Sequence, residues 1–271
     1  MKMGVSELAG KLFNSLRYHL ASLLSIGIRG LSVVAGFLIT YYIGHSYGPV
    51  ANGQYALIAQ TAMFLSIVAV GGMDLAVVRQ FSATIAYRIP LARRSLLRAL
   101  AYSLGAGLLI VLFIIALGPR NIGLLFNGKM PDRAIVIICI VLMARTTTRL
   151  TAAVLRSQED HVIAQTIEVL VIPGTVAVLL ALHLITGLNE VLYATAAVGV
   201  VAAIYGVWKS FQHTGPQEGS LDVPLRSMLR TSLPLWANTI ALNIVDWYSL
   251  ATAATALGVY EAGLFLSLIH I

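Results

Sequence analysis

This 271-residue chain has little charge: Asp, Glu, Lys and Arg make up 11% of it, against the roughly 25% usual in soluble domains. It has one cysteine, Cys139, so no internal disulfide framework can hold it, and a lone apolar-run cysteine is expected to act as packing filler. It has no long polar stretch to form a soluble domain. It shows no cleavable leader, because the first apolar run is too long for a signal core and no small-x-small site follows it. What it has in abundance is apolar length. Hydrophobic residues make up 58% of the sequence, with a mean hydropathy of +0.86.

A spanning helix needs about 20 mostly apolar residues. Runs of that kind cover 20–43, 55–78, 96–117, 134–154, 162–185, 191–208 and 232–257, and an eighth begins near Gly263. The runs are continuous rather than alternating, which argues against the strands of a transmembrane barrel. The expected fold is all-α, a polytopic transmembrane helix bundle. Residues 1–19 place Lys2, Lys11 and Arg17 among Val5, Leu8, Leu12, Phe13 and Leu16, a spacing that suits a cytoplasmic interfacial helix.

Lys and Arg in the connections set the orientation. Twelve lie in the N-terminal segment and the even connections, including Arg79, Arg88, Arg93, Arg94, Arg98, Arg156, Lys209, Arg226 and Arg230. Three, Arg120, Lys129 and Arg133, lie in the odd ones. The N-terminus is therefore expected in the cytoplasm. The net charge of +7 reads as topology and membrane-lipid contact, not nucleic-acid binding, because the basic residues are spread over separate loops.

The beginning of the chain recurs near its end. Gly48, Gly53 and Tyr55 match Gly258, Gly263 and Phe265 at one offset of 210 residues. Two glycines five apart and then an aromatic suit a tight outer turn. The match falls where a six-span unit would restart, after the polar linker Gly215-Pro216-Gln217-Glu218-Gly219-Ser220. Parallel repeats of this kind are common in transporters. The expected division is an interfacial segment 1–19, a six-span lobe 20–211, a cytoplasmic linker 212–230 and the start of a second lobe 231–271. On this reading the sequence is truncated at its C-terminus.

Residues 25–79, with the Gly48…Gly53-x-Tyr55 turn and Gly71-Gly72-Met73-Asp74…Val78-Arg79, together with 224–265, with Ser232-Leu233-Pro234, Asp246 and Gly258-Val259-Tyr260, resemble the starts of the two lobes of lipid-linked oligosaccharide flippases. These are the polysaccharide biosynthesis or O-antigen export proteins of the multidrug/oligosaccharidyl-lipid/polysaccharide exporter superfamily. The resemblance implies a multi-pass exporter of the cell (inner) membrane. It would flip a polyprenyl-diphosphate-linked oligosaccharide from the cytoplasmic to the outer leaflet by alternating access, without a cofactor, for lipopolysaccharide or other surface-polysaccharide assembly alongside other assembly proteins. Two alternatives stay open: a drug or cation antiporter of the same superfamily, and a membrane enzyme acting on lipid-linked sugars.

Charged residues inside the spans are the candidates for function. A guanidinium at a helix centre costs at least ~2.5–3.5 kcal/mol. Arg29 lies about ten residues into the first span and Arg145 about eleven into the fourth, both near the midplane at 1.5 Å per residue. Arg149 follows one turn nearer the cytoplasm, among Thr146, Thr147, Thr148 and Thr151. Guanidinium forks suit a diphosphate, so Arg29, Arg145 and Arg149 are expected to line a cytoplasm-facing cavity. The alternative has Arg149 and Arg156 snorkelling to the interface and Arg145 paired inside the bundle. Glu168 reads as a structural ion-pair partner at about the depth of Arg149, or as a proton or cation site. Asp74 reads as a partner of Arg79 or a helix cap, with Gly71-Gly72 allowing a bend. Asp246 reads as a coupling site or a partner of Arg29. Pro173-Gly174 marks a kink in the fifth span, hinge or packing accommodation.

Enzyme chemistry finds no constellation. The stretch from Gly123 to Met130 ends in Met where a phosphate-binding loop needs Ser or Thr, and no strand precedes it. The histidines His19, His45, His161, His183, His213 and His270 are scattered without metal-ligand spacing. No paired-aspartate, His-Glu-x-x-His or Gly-x-Ser-x-Gly motif occurs.

Overall fold

A computed structural model describes the backbone of residues 5–87, 89–124, 130–131, 133–216 and 219–269, with side chains from residue 20 to 264 apart from 21 and 22. The phosphate-loop-like stretch falls largely outside the described residues, as do the side chains of Phe265 and His270.

The first helix, α1 (Val5–Val70), is continuous from the N-terminal segment into the first span and contains the first expected span and the second as far as Val70, the rest of 55–78 lying beyond the helix end. They are divided at Gly48, with φ 87° and ψ 167°, followed by Pro49. The physics of this break is local. Proline disfavours helical geometry in the residue before it, glycine takes the positive φ without a Cβ penalty, and proline opens the next helix where its missing N–H is not needed. The same device recurs at Gly118-Pro119, with φ 72° and ψ 166°, inside α4 (Arg93–Gly123). After Gly48 the chain turns back. Tyr47 Oη donates to the Ile185 carbonyl at 2.8 Å at one end of the bundle, whereas Val70 packs with Leu150 and Val154 at the other.

Helix α1 ends at Gly71 and Gly72, with φ 60° and 70°. Helices α2 (Met73–Phe81) and α3 (Ala83–Tyr87) and the two-residue strand β1 (Leu91–Ala92) follow. Then come α4, α5 (Ala134–Ser157), α6 (His161–Gln165), a π-helical turn (Thr166–Leu170), α7 (Val171–Ala181), α8 (Leu188–Gln212), strand β2 (Thr214–Gly215), α9 (Leu225–Ala256) and α10 (Val259–Ile269). The all-α expectation holds. The short parallel pairing of β1 with β2 carried no sequence signal.

Among the described residues five helices are long and apolar enough to cross a membrane, and the first, at 48 residues over Leu23–Val70, has length for two crossings. Helix α9 is not among them. It forms as a helix where the seventh span was expected, but Arg226, Arg230, Asn238, Asn243 and Asp246 dilute its apolar character.

Helix α5 is the axis of the bundle. It packs on α1, α2, α4, α6 and α8, and 61% of its apolar stretch is buried, against 11% for that of α1. One core cluster joins Leu57 and Ile58 of α1, Ile137, Ile138 and Leu142 of α5, Leu192 of α8, Leu250 of α9 and Val259 of α10. The α5–α8 crossing is close because α8 presents glycines. A Cβ on Gly199 would lie 3.3 Å from the Ala144 Cβ, and one on Gly206 would lie 2.4 Å from Thr151 Oγ1. Small residues of this kind bring membrane helices together where no hydrophobic effect drives them.

The linker is tied to the bundle. The Ala92 N–H donates to the Leu221 carbonyl at 2.9 Å and the Leu221 N–H to the Pro90 carbonyl at 2.8 Å. Asp222 accepts from Ser95 Oγ at 2.9 Å and from Arg98 Nη1 at 2.6 Å. The Ser95 hydroxyl, and then the Arg98 guanidinium, hold its carboxyl below the ordinary carboxylate range.

Helix α9 runs along the second half of α1. Trp247 stacks on Phe64 with ring centroids 5.1 Å apart, and its indole N–H donates to Thr61 Oγ1 at 3.2 Å. At the basic-loop end, Gly72 is pressed against α9. A Cβ there would lie 2.5 Å from the Ser232 carbonyl oxygen and 2.8 Å from the Trp236 Cβ. Gly72→Ala is therefore expected to cost about 2–5 kcal/mol, from left-handed strain of ~1–2 and overpacking of ~1–3. Gly71→Ala should cost less, since its Cβ meets only the end of the Tyr102 ring at 3.0 Å. Melting temperatures of the two purified variants check the order, and equal losses would refute it.

Candidate functional site

Helix α5 carries Arg145, Arg149 and Arg156 into the bundle, where Arg149 meets Asp74 and the other two meet Glu168, one at its backbone and one at its side chain. Arg149 Nε donates to Asp74 Oδ2 at 2.6 Å. Asp74 sits in the first turn of α2, is buried, and accepts the Leu75 N–H at 3.0 Å on its other oxygen. The expected Asp74–Arg79 pair is thus replaced by Asp74–Arg149. The double-glycine break turns α2 so that Asp74 faces α5, while Arg79 is exposed.

Glu168 lies in the π-helical turn and pairs with Arg156 Nη1. Depth alone had aligned Glu168 with Arg149. The partner is instead the arginine seven residues further on, because α5 and α6 are joined by a tight turn at 158–160 and run back along each other. Arg145 Nη1 donates to the Glu168 backbone carbonyl at 3.1 Å. The local sequence explains why that carbonyl is open. In the π register, seen where the Val171 N–H bonds to the Thr166 carbonyl, Glu168 would look five residues on, to residue 173. That residue is proline and has no N–H. Pro173 therefore does produce a backbone irregularity, as a π-turn on its N-terminal side.

Arg29 Nε donates to Gln165 Oε1 at 3.2 Å. Gln165 ends α6 and lies three residues before Glu168, on the same helix face. Arg29 from α1 and Arg145 from α5 thus converge on one short segment. Sequence reasoning missed Gln165. Its signal was a polar residue one turn from Glu168 inside an apolar run. Asp246 is exposed on α9, and among the described residues it forms no ion pair with Arg29 or any other cation.

Charge accounting separates the arginines. Arg149 and Arg156 are each matched by a carboxylate. Arg29 and Arg145 are held by neutral oxygens, so the cluster keeps two positive charges without carboxylate partners among the described residues. The threonines do not add to the binding groups. Thr146, Thr147 and Thr151 donate to the carbonyls one turn back, of Leu142, Met143 and Thr147, at 2.8, 2.8 and 2.9 Å. Their hydroxyls are spent on the helix, and their small size serves the packing.

No protein-family model matches the sequence, and no curated protein does. One solved structure does: a MOP superfamily transporter from Pyrococcus furiosus, with a TM-score of 0.55 and 16% identity, over 94% of this chain and 58% of that one. This chain therefore spans little more than half the length of the structure it matches. The long apolar helices and this likeness agree on the fold alone: the chain folds like that transporter over 58% of the transporter's length.

Proposed function

We propose that the chain forms the first lobe, and the start of the second, of a transporter that moves an anionic lipid-linked oligosaccharide across the cell membrane by alternating access, with the N-terminus in the cytoplasm. The observation that carries this reading is the pair of arginines without carboxylates, Arg29 and Arg145, meeting at Gln165 and Glu168. Two cations, each within a span length of apolar sequence and neither in an ion pair among the described residues, suit an anionic ligand. A diphosphate offers matching charge and oxygens that accept guanidinium forks in pairs. Arg149, tied to Asp74, supports the cluster rather than holding the ligand in its resting state. The drug or cation antiporter reading asks for free acids in the cavity, whereas Asp74 and Glu168 are both engaged by arginine.

Binding of a polyprenyl-diphosphate-linked sugar to the purified chain tests the proposal. A hydrogen bond to a charged group is worth ~1.5–3 kcal/mol, so Arg29→Ala and Arg145→Ala should each weaken binding about 10- to 100-fold. Lysine at either position should recover part of the loss, since it keeps the charge but not the fork. Undiminished binding by the double alanine variant would overturn the reading.

A further inference from the structure

The seam between α4 and α8 holds two adjoining features that the transport reading does not use. At the basic-loop end is a cavity of about 560 Å³ lined by Arg93, Arg94, Leu97, Phe211 and Thr214. The Arg93 guanidinium lies over the Phe211 ring, 5.0 Å from its centroid, which fixes one cation at the mouth. No carboxylate is among its described lining residues. The nearby Asp222 already accepts from Ser95 and Arg98.

Seven residues further along α4, the same seam opens into an apolar groove of about 700 Å³. Leu104, Leu108, Met143, Ile204 and Trp208 line it. At 1.5 Å per residue the two features begin about 10 Å apart along α4, within reach of one amphiphile. The groove also touches Thr147. Thr147 is two residues from both Arg145 and Arg149, about 200° around α5 from each. The groove therefore lies on the far side of α5 from the arginine cluster and is separate from the proposed substrate cavity.

We propose that this seam binds one anionic phospholipid of the basic-side leaflet, with its phosphate between Arg93 and Arg94 and an acyl chain along the groove. Basic pockets between spanning helices on this side suit anionic headgroups. Guanidinium pairs suit phosphate oxygens, and a groove almost without polar lining suits only a hydrocarbon chain. The site stands or falls apart from the transport reading, since neither Arg93 nor Arg94 contributes to the arginine cluster.

Native mass spectrometry of the detergent-purified chain, titrated separately with phosphatidylglycerol, phosphatidylcholine and inorganic phosphate, tests the site. Phosphatidylglycerol should be retained at least about tenfold better than phosphatidylcholine, given the strength of charge-assisted contacts to phosphate. Arg93→Gln with Arg94→Gln should abolish that preference, and lysine at both positions should keep most of it. Ala203→Phe, which fills the groove, should weaken retention with the arginines intact. Equal retention of the two lipids, or a preference that survives the double glutamine change, overturns the proposal. So does displacement by inorganic phosphate at equal concentration, which would leave a headgroup site with no role for the groove. Preferential displacement by a polyprenyl diphosphate overturns it too, by making the seam a substrate site.

Discussion

Asp74→Asn is expected to cost about 3–5 kcal/mol of stability, the usual loss when one member of a buried ion pair is removed. Asp74 is 4% exposed, and its carboxylate meets Arg149 Nε at 2.6 Å. Asparagine keeps the volume and the acceptor for the Leu75 N–H, so the variant isolates the charge. Arg149 would then remain inside the bundle with no anion to offset its desolvation. The double change Asp74→Asn with Arg149→Gln should recover most of the loss, because a buried pair replaced as a unit costs little. Asp74→Leu with Arg149→Met should do at least as well. The readout is the melting temperature in detergent of the single and double variants. Additive losses in the cycle, or a neutral Asp74→Asn, would show that the pair is not the element holding α2 to α5.

The pairing of Asp74 shows where the sequence was legible and where it was not. Helix number and order follow from apolar length, which needs no tertiary information, and they were readable along almost the whole chain. The Gly48 turn and the double glycine were also legible, because their φ preferences are local. Which acid meets which arginine was not. Asp74 and Arg149 are 75 residues apart, and their meeting depends on the direction α2 takes after two left-handed glycines. Arg79 is nearer in sequence but faces outward. Likewise Glu168 could be assigned a depth but not a partner, because the π-turn that rotates it arises from Pro173, five residues on. What the threonine hydroxyls bond to was not legible either. Composition counts their hydroxyls as available, but in a buried helix the nearest acceptor is the carbonyl one turn back. Asp246 was legible as a charge inside a span and nothing more, since no partner lies among the residues described.

Gly53→Ala and Gly263→Ala are each expected to destabilise the chain by about 3 kcal/mol, the upper part of the overpacking range, and by closely similar amounts. A Cβ on Gly53 would lie 2.1 Å from the Val259 carbonyl oxygen, and one on Gly263 would lie 2.2 Å from the Pro49 carbonyl oxygen. In both cases the obstacle is backbone, which no rotamer can move aside. The two contacts are the same contact seen from each side: Pro49 and Val259 are 210 residues apart, as are Gly53 and Gly263. Such reciprocity, in which residue i meets j and the counterpart of i meets the counterpart of j, is what a two-fold axis between two copies of one element produces. The glycines that open the two helices share the feature too, with positive φ of 87° at Gly48 and 118° at Gly258. Asn52 adds one bond across the crossing, donating from Nδ2 to the Gly263 carbonyl at 3.3 Å. These facts support the proposal of two lobes related by an axis through the Gly53–Gly263 contact, with Arg29 and Asp246 on corresponding helices on either side. Under alternating access such a crossing must stay closed while the other end opens, so both alanine variants should lower the melting temperature equally. Both should also raise the cross-linking of cysteines introduced by Val50→Cys and Tyr260→Cys to a long bifunctional reagent at the expense of a short one. A large effect at one glycine with none at the other would remove the axis, and with it the reason to place Arg29 opposite Asp246.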